Sequence, residues 1–187
     1  MSGITVHVAS RRVYDEDHHT WVTTPEATLK MEHSLISISK WESKWKKPYL
    51  TKLPQFEKTN EEYLDYLKCM TIGEVPPDIV YLSIAEEDLI RIHDYIEDPQ
   101  TATTICDLKP DNPNSQEYET SETLYYYMFK LGIPKECERW HINRLMALLK
   151  IYDTKDNPDN KMTEQEALMY QKKLIAQRRA EQAARHQ

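Results

Sequence analysis

The sequence predicts a mainly α protein of the α+β class: a small N-terminal antiparallel β-hairpin or sheet packed on a bundle of about five to six helices. Three observations carry this. Apolar residues recur at helical spacing in segment after segment beyond residue 32. Three Ser/Thr-x-x-Glu signatures precede such segments. Alternating, β-branched stretches are confined to the first 31 residues. The organisation expected is a β segment over 1–31, a helical core over 32–152 and a C-terminal helix, projecting from the body, over 153–187.

Ile4–Ala9 alternates and reads as a strand, which Arg11–Tyr14 continues. Asp15–His19 is a polar turn. Thr20–Thr24 is the second strand and Ala27–Met31 a weaker third. So few strands need a helical layer behind them.

The next helix spans His33–Trp45. Leu35, Ile38, Trp41 and Trp45 form its stripe, Lys40, Glu42, Lys44 and Lys46 lie off it, and Pro48 stops it. Trp41 and Trp45, one turn apart, anchor it on the core. Lys52–Lys58 is a linker. Thr59 and Glu62 form a capping box, opening a helix with Tyr63, Leu64, Leu67 and Met70 inward and its end near Gly73. Ser83 and Glu86 form the second box, followed by Leu89, Ile92, His93 and Ile96, with Asp98-Pro99 as the stop. Gln100–Glu119 lacks periodicity and reads as a long exposed loop, a candidate contact element.

Leu124–Tyr152 is the densest apolar stretch and is expected to be the hub. Opened by Thr120 or Ser121, its first arm carries Leu124, Tyr127, Met128 and Leu131 and stops at Gly132. Pro134 starts the second arm. There Cys137, Trp140, His141, Leu145, Leu148 and Tyr152 share one broad helical face. With Trp140 in the core, Trp140→Ala is expected to cost about 3–5 kcal/mol. Asp153–Lys161 is a polar connector. Thr163 and Glu166 form the third box, and the last helix carries Ala167, Leu168, Tyr170, Leu174 and Ile175 before a locally basic tail.

The formal net charge is −7, which argues against general affinity for nucleic acid. No apolar run approaches the roughly 18 residues of a membrane span, and the N-terminus lacks the basic and apolar regions of a signal peptide. A cytoplasmic protein is expected. Cys69, Cys106 and Cys137 are far apart with no CxxC, so reduced thiols are expected.

No residue pattern supports catalysis or a cofactor. The only glycines are Gly3, Gly73 and Gly132, so neither a Walker A loop nor a GxGxxG turn can be written. Asp15–His19 gathers metal-ligand types, but adjacent ligands in a turn point apart, and a solvated tip is the better reading. Cys137 and His141, four apart, could pair on a metal, yet no second pair lies at ligand spacing. A buried Cys beside a core His is preferred, and no metal is expected. Trp41, Trp45, Lys44, Lys46 and Lys47 mix aromatics with base, as a nucleic-acid platform would; helical spacing favours core for both Trp. Lys172, Lys173, Arg178, Arg179 and Arg185 are the candidate partner-binding residues, suited to phosphate or to an acidic protein surface.

The strings EHSLISISKWESKWKKPYL (Glu32–Leu50), EEYLDYLKCMT (Glu61–Thr71), DYIEDPQTATT (Asp94–Thr104) and IPKECERWHINRLMALLKI (Ile133–Ile151) resemble a family of small proteins encoded among the tail genes of long-tailed bacteriophages, of the tail-assembly-chaperone type. The resemblance runs from about Leu29 to the C-terminus. It implies a non-enzymatic protein of the bacterial host cytoplasm that keeps the tape-measure protein, or another tail protein, soluble and helps tail-tube subunits assemble. It brings no catalytic residues. Met128, Met146 and Met169 could offer pliable surface to such a partner, although core positions are preferred for the first two. A structural virion protein at the tail or head–tail junction is the alternative, and a DNA-associated phage protein using the basic tail is a third. Homo-oligomerisation is left open.

Overall fold

A computed structural model describes residues 3–15, 19–51, 53–103, 119–156 and 172. The architecture is α+β. Strands β1 (Ile4–Val8), β2 (Arg12–Asp15), β3 (Thr20–Thr23) and β4 (Ala27–Met31) precede helices α1 (Leu35–Trp45), α2 (Asn60–Met70), α3 (Asp78–Leu82), α4 (Glu86–Glu97), α5 (Ser121–Lys130) and α6 (Ile142–Asp156). The chain divides into two compact units: Met1–Thr101 with Glu117–Met146, and Ala102–Gln116 with Ala147–Gln187. The strands thus share a unit with α1–α5. Most of the second unit lies outside the described residues, including the predicted Asp153–Lys161 connector beyond Asp156, the Thr163 box and its helix, and Met169.

The four strands are two halves of one long hairpin. Ile4 faces Met31 and Val8 faces Ala27 in the first half; Arg12 faces Thr23 and Asp15 faces Thr20 in the second. The register is the same throughout. What separates the halves is Pro25, which has no N–H for the ladder. Thr24 repairs the gap: its amide donates to Arg11 O at 2.8 Å, its Oγ1 accepts from Arg11 N at 3.0 Å, and its carbonyl accepts from Ser10 Oγ at 2.7 Å. The expected continuation over Arg11–Tyr14 is therefore a strand of its own, Arg12–Asp15, set off from the first by this joint. Val6, Val8, Leu29 and Met31 point into the core. Along the outer side of β4, Ile72 N donates to Lys30 O and Glu32 N to Met70 O, so the end of α2 extends the sheet.

α1 forms where expected, capped by Ser34 and ended by Lys46 in the left-handed region (φ 55°). It lies against α2, and both indole N–H groups are anchored there. Trp41 Nε1 donates to Glu62 O at 2.8 Å and Trp45 Nε1 to Asp65 Oδ2 at 3.0 Å. Trp41 is fully buried; Trp45 is only half-buried, because its ring edge and the Lys44 ammonium above it stay at the surface. The Thr59 capping box is present with both of its bonds. Tyr66 rather than Tyr63 or Leu64 joins Leu67 and Met70 inside, because its hydroxyl meets His33. The linker holds a 3-10 turn, Pro54–Phe56.

The Ser83 box does not form. Pro77, with φ −56°, starts the short helix α3, which sequence periodicity missed, and Ser83 closes it by donating to Ile79 O at 2.7 Å. α4 begins after Ala85 with no side-chain cap. Of Gln100–Glu119, residues 104–118 lie outside the described set, as does Cys106. Gln100 is held by two bonds to the Asp98 carboxylate.

The hub's first arm is a helix as expected, but Tyr127 is exposed and Leu131 half-buried where both were expected inside. Leu124 and Met128 are buried, and Gly132 (φ 65°) ends α5 with Ile133 N donating to Met128 O, a Schellman closure. The second arm is not one helix. Lys135–Arg139 is a 3-10 turn, Trp140 is extended, and α6 starts only at Ile142. The break exists because His141 bridges to Ser34 and Ile142 N donates to His33 O at 2.8 Å. Cys137, His141 and Leu145 are buried as predicted, while Trp140, Met146 and Leu148 are half-buried. The Trp140 ring carries the Arg144 guanidinium 4.3 Å above its centroid.

Glu42 holds α1 and α5 together from the inside: its carboxylate accepts Tyr49 N and Ser121 N, each at 2.7 Å. Glu42→Ala is expected to cost about 2–3 kcal/mol, since it leaves two buried N–H groups unpaired. Trp41→Ala should cost about 3–5 kcal/mol, and Trp140→Ala only about 1 kcal/mol. Urea melts that rank Trp140→Ala above Trp41→Ala would contradict this packing.

Candidate functional site

Behind α1 lies a buried aromatic and histidine cluster contributed by five segments. Tyr49 stacks on Tyr66 at 3.9 Å and meets Trp41 edge-on at 5.2 Å. His33 stands edge-on to Tyr66 at 5.7 Å and to His141 at 5.0 Å, and Tyr95 contacts His141 at 4.9 Å. His33 Nδ1 hydrogen-bonds the Tyr66 hydroxyl. The tautomer of His141 follows from its partners. Nε2 lies 2.8 Å from Tyr95 O, which can only accept, and Nδ1 lies 3.3 Å from Asn143 N, which can only donate. His141 is thus neutral with the proton on Nε2. Burial, with the neighbouring His141 and then Lys58 adding to it, pulls His33 down to about 3. Burial also lowers His141, against the Tyr95 carbonyl. The two imidazoles are wedged between tyrosines, His33 bonded through Nδ1 and His141 through both ring nitrogens.

Cys137 and His141, considered as a ligand pair, are placed on different elements, and burial raises the Cys137 thiol. Among the described residues no group of three or more His, Cys, Asp or Glu could hold a metal ion. Glu16, Asp17 and His18 of the acidic turn lie outside the described residues. Lys44 and Lys47 are committed to α2: Lys44 pairs with Asp65, and Lys47 with Glu62, whose carboxyl it holds below the usual range. Trp41 is buried as well, so three of the five residues are used within the fold. Of the basic candidates, Lys172 is an exposed helical residue. Lys173, Arg178, Arg179 and Arg185 lie outside the described residues. No described helix is long and apolar enough to cross a membrane.

A cleft of about 350 Å³ opens beside Ile4, Lys30, Glu32, Ile72 and Arg139. It is broad and shallow, and Arg139 Nε is turned to Glu32 at 3.4 Å.

The surface feature with binding character is the outward side of α5. Leu124 and Met128 fix the helix to the body, which turns Tyr126 and Phe129 to solvent on one stripe, 58% and 65% exposed. Tyr125 stacks on Phe129 at 6.3 Å and donates to Glu138 at 3.0 Å, so the stripe has a fixed edge. Lys130 Nζ stands 5.8 Å from the Tyr126 centroid, and Tyr127 opens onto the other flank. A protein surface rarely leaves adjacent large aromatics uncovered without using them. Sequence reasoning missed this stripe because it assigned Tyr127 to the core and weighed Tyr126 and Phe129 not at all. The signal was there: LYYYMF carries more apolar residues than one buried face can take.

No protein-family model, curated protein or solved structure matches this chain.

The neutral histidines have a measurable consequence. A His whose folded value lies below its unfolded value of about 6.5 binds more protons when unfolded. Its stabilisation is complete above pH 6.5 and is lost as the pH falls toward 3. Glu62, also lowered, acts in the same direction at lower pH. The melting temperature should therefore fall steadily below pH 6.5, while the His33 ring resonances at pH 5 still report a neutral imidazole. An imidazolium signal from His33 in the folded protein at pH 5 would contradict the cluster.

Proposed function

We propose that this chain is a non-enzymatic phage tail morphogenesis protein: an assembly chaperone that holds the tape-measure protein, or another tail protein, in the host cytoplasm while the tube assembles. The aromatic stripe of α5 is the observation that carries the reading. A tape-measure protein is a long helical chain with apolar faces that aggregates unless covered. Tyr126 and Phe129 offer rigid, large apolar area at little entropic cost, and the tyrosine hydroxyls adapt to polar neighbours. The rings sit on a helix whose other side is anchored, which suits helix-on-helix capture. The four sequence strings quoted above support the family assignment, and each contributes a residue to the cluster behind α1.

Co-expression tests the proposal. The full chain should keep the tape-measure protein in the soluble fraction, and the double variant Tyr126→Ser/Phe129→Ser should lose at least about tenfold of that yield, as removal of two central anchors does, with an unchanged thermal melt. Equal solubilisation by the variant would reject the surface. Mass spectrometry of purified phage should find no stoichiometric copies; finding them would favour a structural role in the tail or head–tail junction.

A further inference from the structure

The far half of the N-terminal hairpin carries side chains unusual for an exposed ribbon. By the pairing register, Arg12, Tyr14, Trp21 and Thr23 share one face. That face continues the one that carries Val6, Val8, Leu29 and Met31, which are buried. The core-facing side of the hairpin thus runs on past the joint at Thr24 and emerges with Trp21 at 60% and Tyr14 at 44% exposure. The two rings meet edge-on at 5.4 Å, and the Arg12 guanidinium stands 5.8 Å from the Trp21 centroid. Thr24, fully buried and bonded to Arg11 and Ser10, fixes the base. The result is a positioned aromatic platform with one cation, Arg12, on it.

A complementary surface exists on the same molecule. Ile92 faces inward from α4 and is fully buried. The opposite side carries Ile90, 55% exposed, at helical spacing from Glu86 and Asp94, with Glu87 alongside. All three carboxylates are exposed. An apolar side chain with carboxylates at i−4, i−3 and i+4, and His93 at i+3, is the counterpart of an aromatic pair that carries one guanidinium. At a net charge of −7, the protein as a whole repels nucleic acid.

We propose that the far half of the hairpin is a docking arm for a second copy of this chain, with Trp21 and Tyr14 seated on Ile90 of α4 and Arg12 paired with Glu86, Glu87 and Asp94. The arm and its receptor are different surfaces, so the contact is head-to-tail. Each pair keeps one arm and one receptor open, one on each copy, and growth continues until a ring closes. The inference does not depend on the chaperone reading.

Sedimentation of the full chain over a concentration series tests it. The wild type should associate beyond a dimer. Trp21→Ala, on the arm, and Ile90→Asp, on the receptor, should each weaken association by roughly thirtyfold, the effect of losing a central anchor, with unchanged circular dichroism. Arg12→Glu and Glu87→Arg should each associate poorly alone. Mixed, they should co-associate in alternation, because the reversed arm of one meets the reversed receptor of the other and the unchanged arm and receptor meet as in the wild type. A wild type that stays monomeric, association unaffected by Trp21→Ala, no pairing in the mixture, or oligonucleotide binding that depends on Trp21 in place of self-association would each overturn the proposal.

Discussion

A pair of uncharged imidazoles holds the helical body together. His33 and His141 come from segments more than a hundred residues apart and meet ring to ring at 5.0 Å. Around them the backbone is tied as well: Ile142 N donates to His33 O, and Tyr95 takes His141 Nε2 on its carbonyl while its hydroxyl accepts His33 N at 3.3 Å. The starts of α1 and α6 and the end of α4 thus converge on one point. This requirement breaks the hub's second arm, since residue 141 cannot both bridge to Ser34 and continue a helix from Pro134. Apolar periodicity at Cys137, Trp140 and His141 mimicked a helix, but a tertiary contact decided the backbone.

The fold was legible where local signals acted alone. Thr59 and Glu62 made their box, Gly132 stopped α5, and Trp41 and Leu124 went inside. It was illegible where a partner far along the chain determined the outcome. Tyr66 is buried because of His33, Tyr49 because Tyr66 stacks on it, and Glu42 because two distant amides need an acceptor. None of these follows from residue spacing. Ser83 shows a smaller failure of the same kind: its hydroxyl had a nearer carbonyl to satisfy.

The candidate surfaces were legible in a different measure. Reading favoured basic residues near the C-terminus, among which only Lys172 is described. The structure draws attention instead to aromatic residues that have no place inside. α5 has six apolar or aromatic side chains in LYYYMF but fully buries two against the body, and the excess becomes a contact face. The inner side of the hairpin likewise outruns the helices that cover it. In both cases exposure follows from geometry: a regular element extends further than its core.

Pairing at constant register has a further consequence for the hairpin. Side chains alternate between faces with a period of two. A single residue deleted from one strand near Pro25 would swap the sides of everything beyond it, sending Tyr14 or Trp21 to the back. The span between joint and tip can therefore be altered only by whole pleats, two residues in each strand, if its aromatic side is to keep its aim.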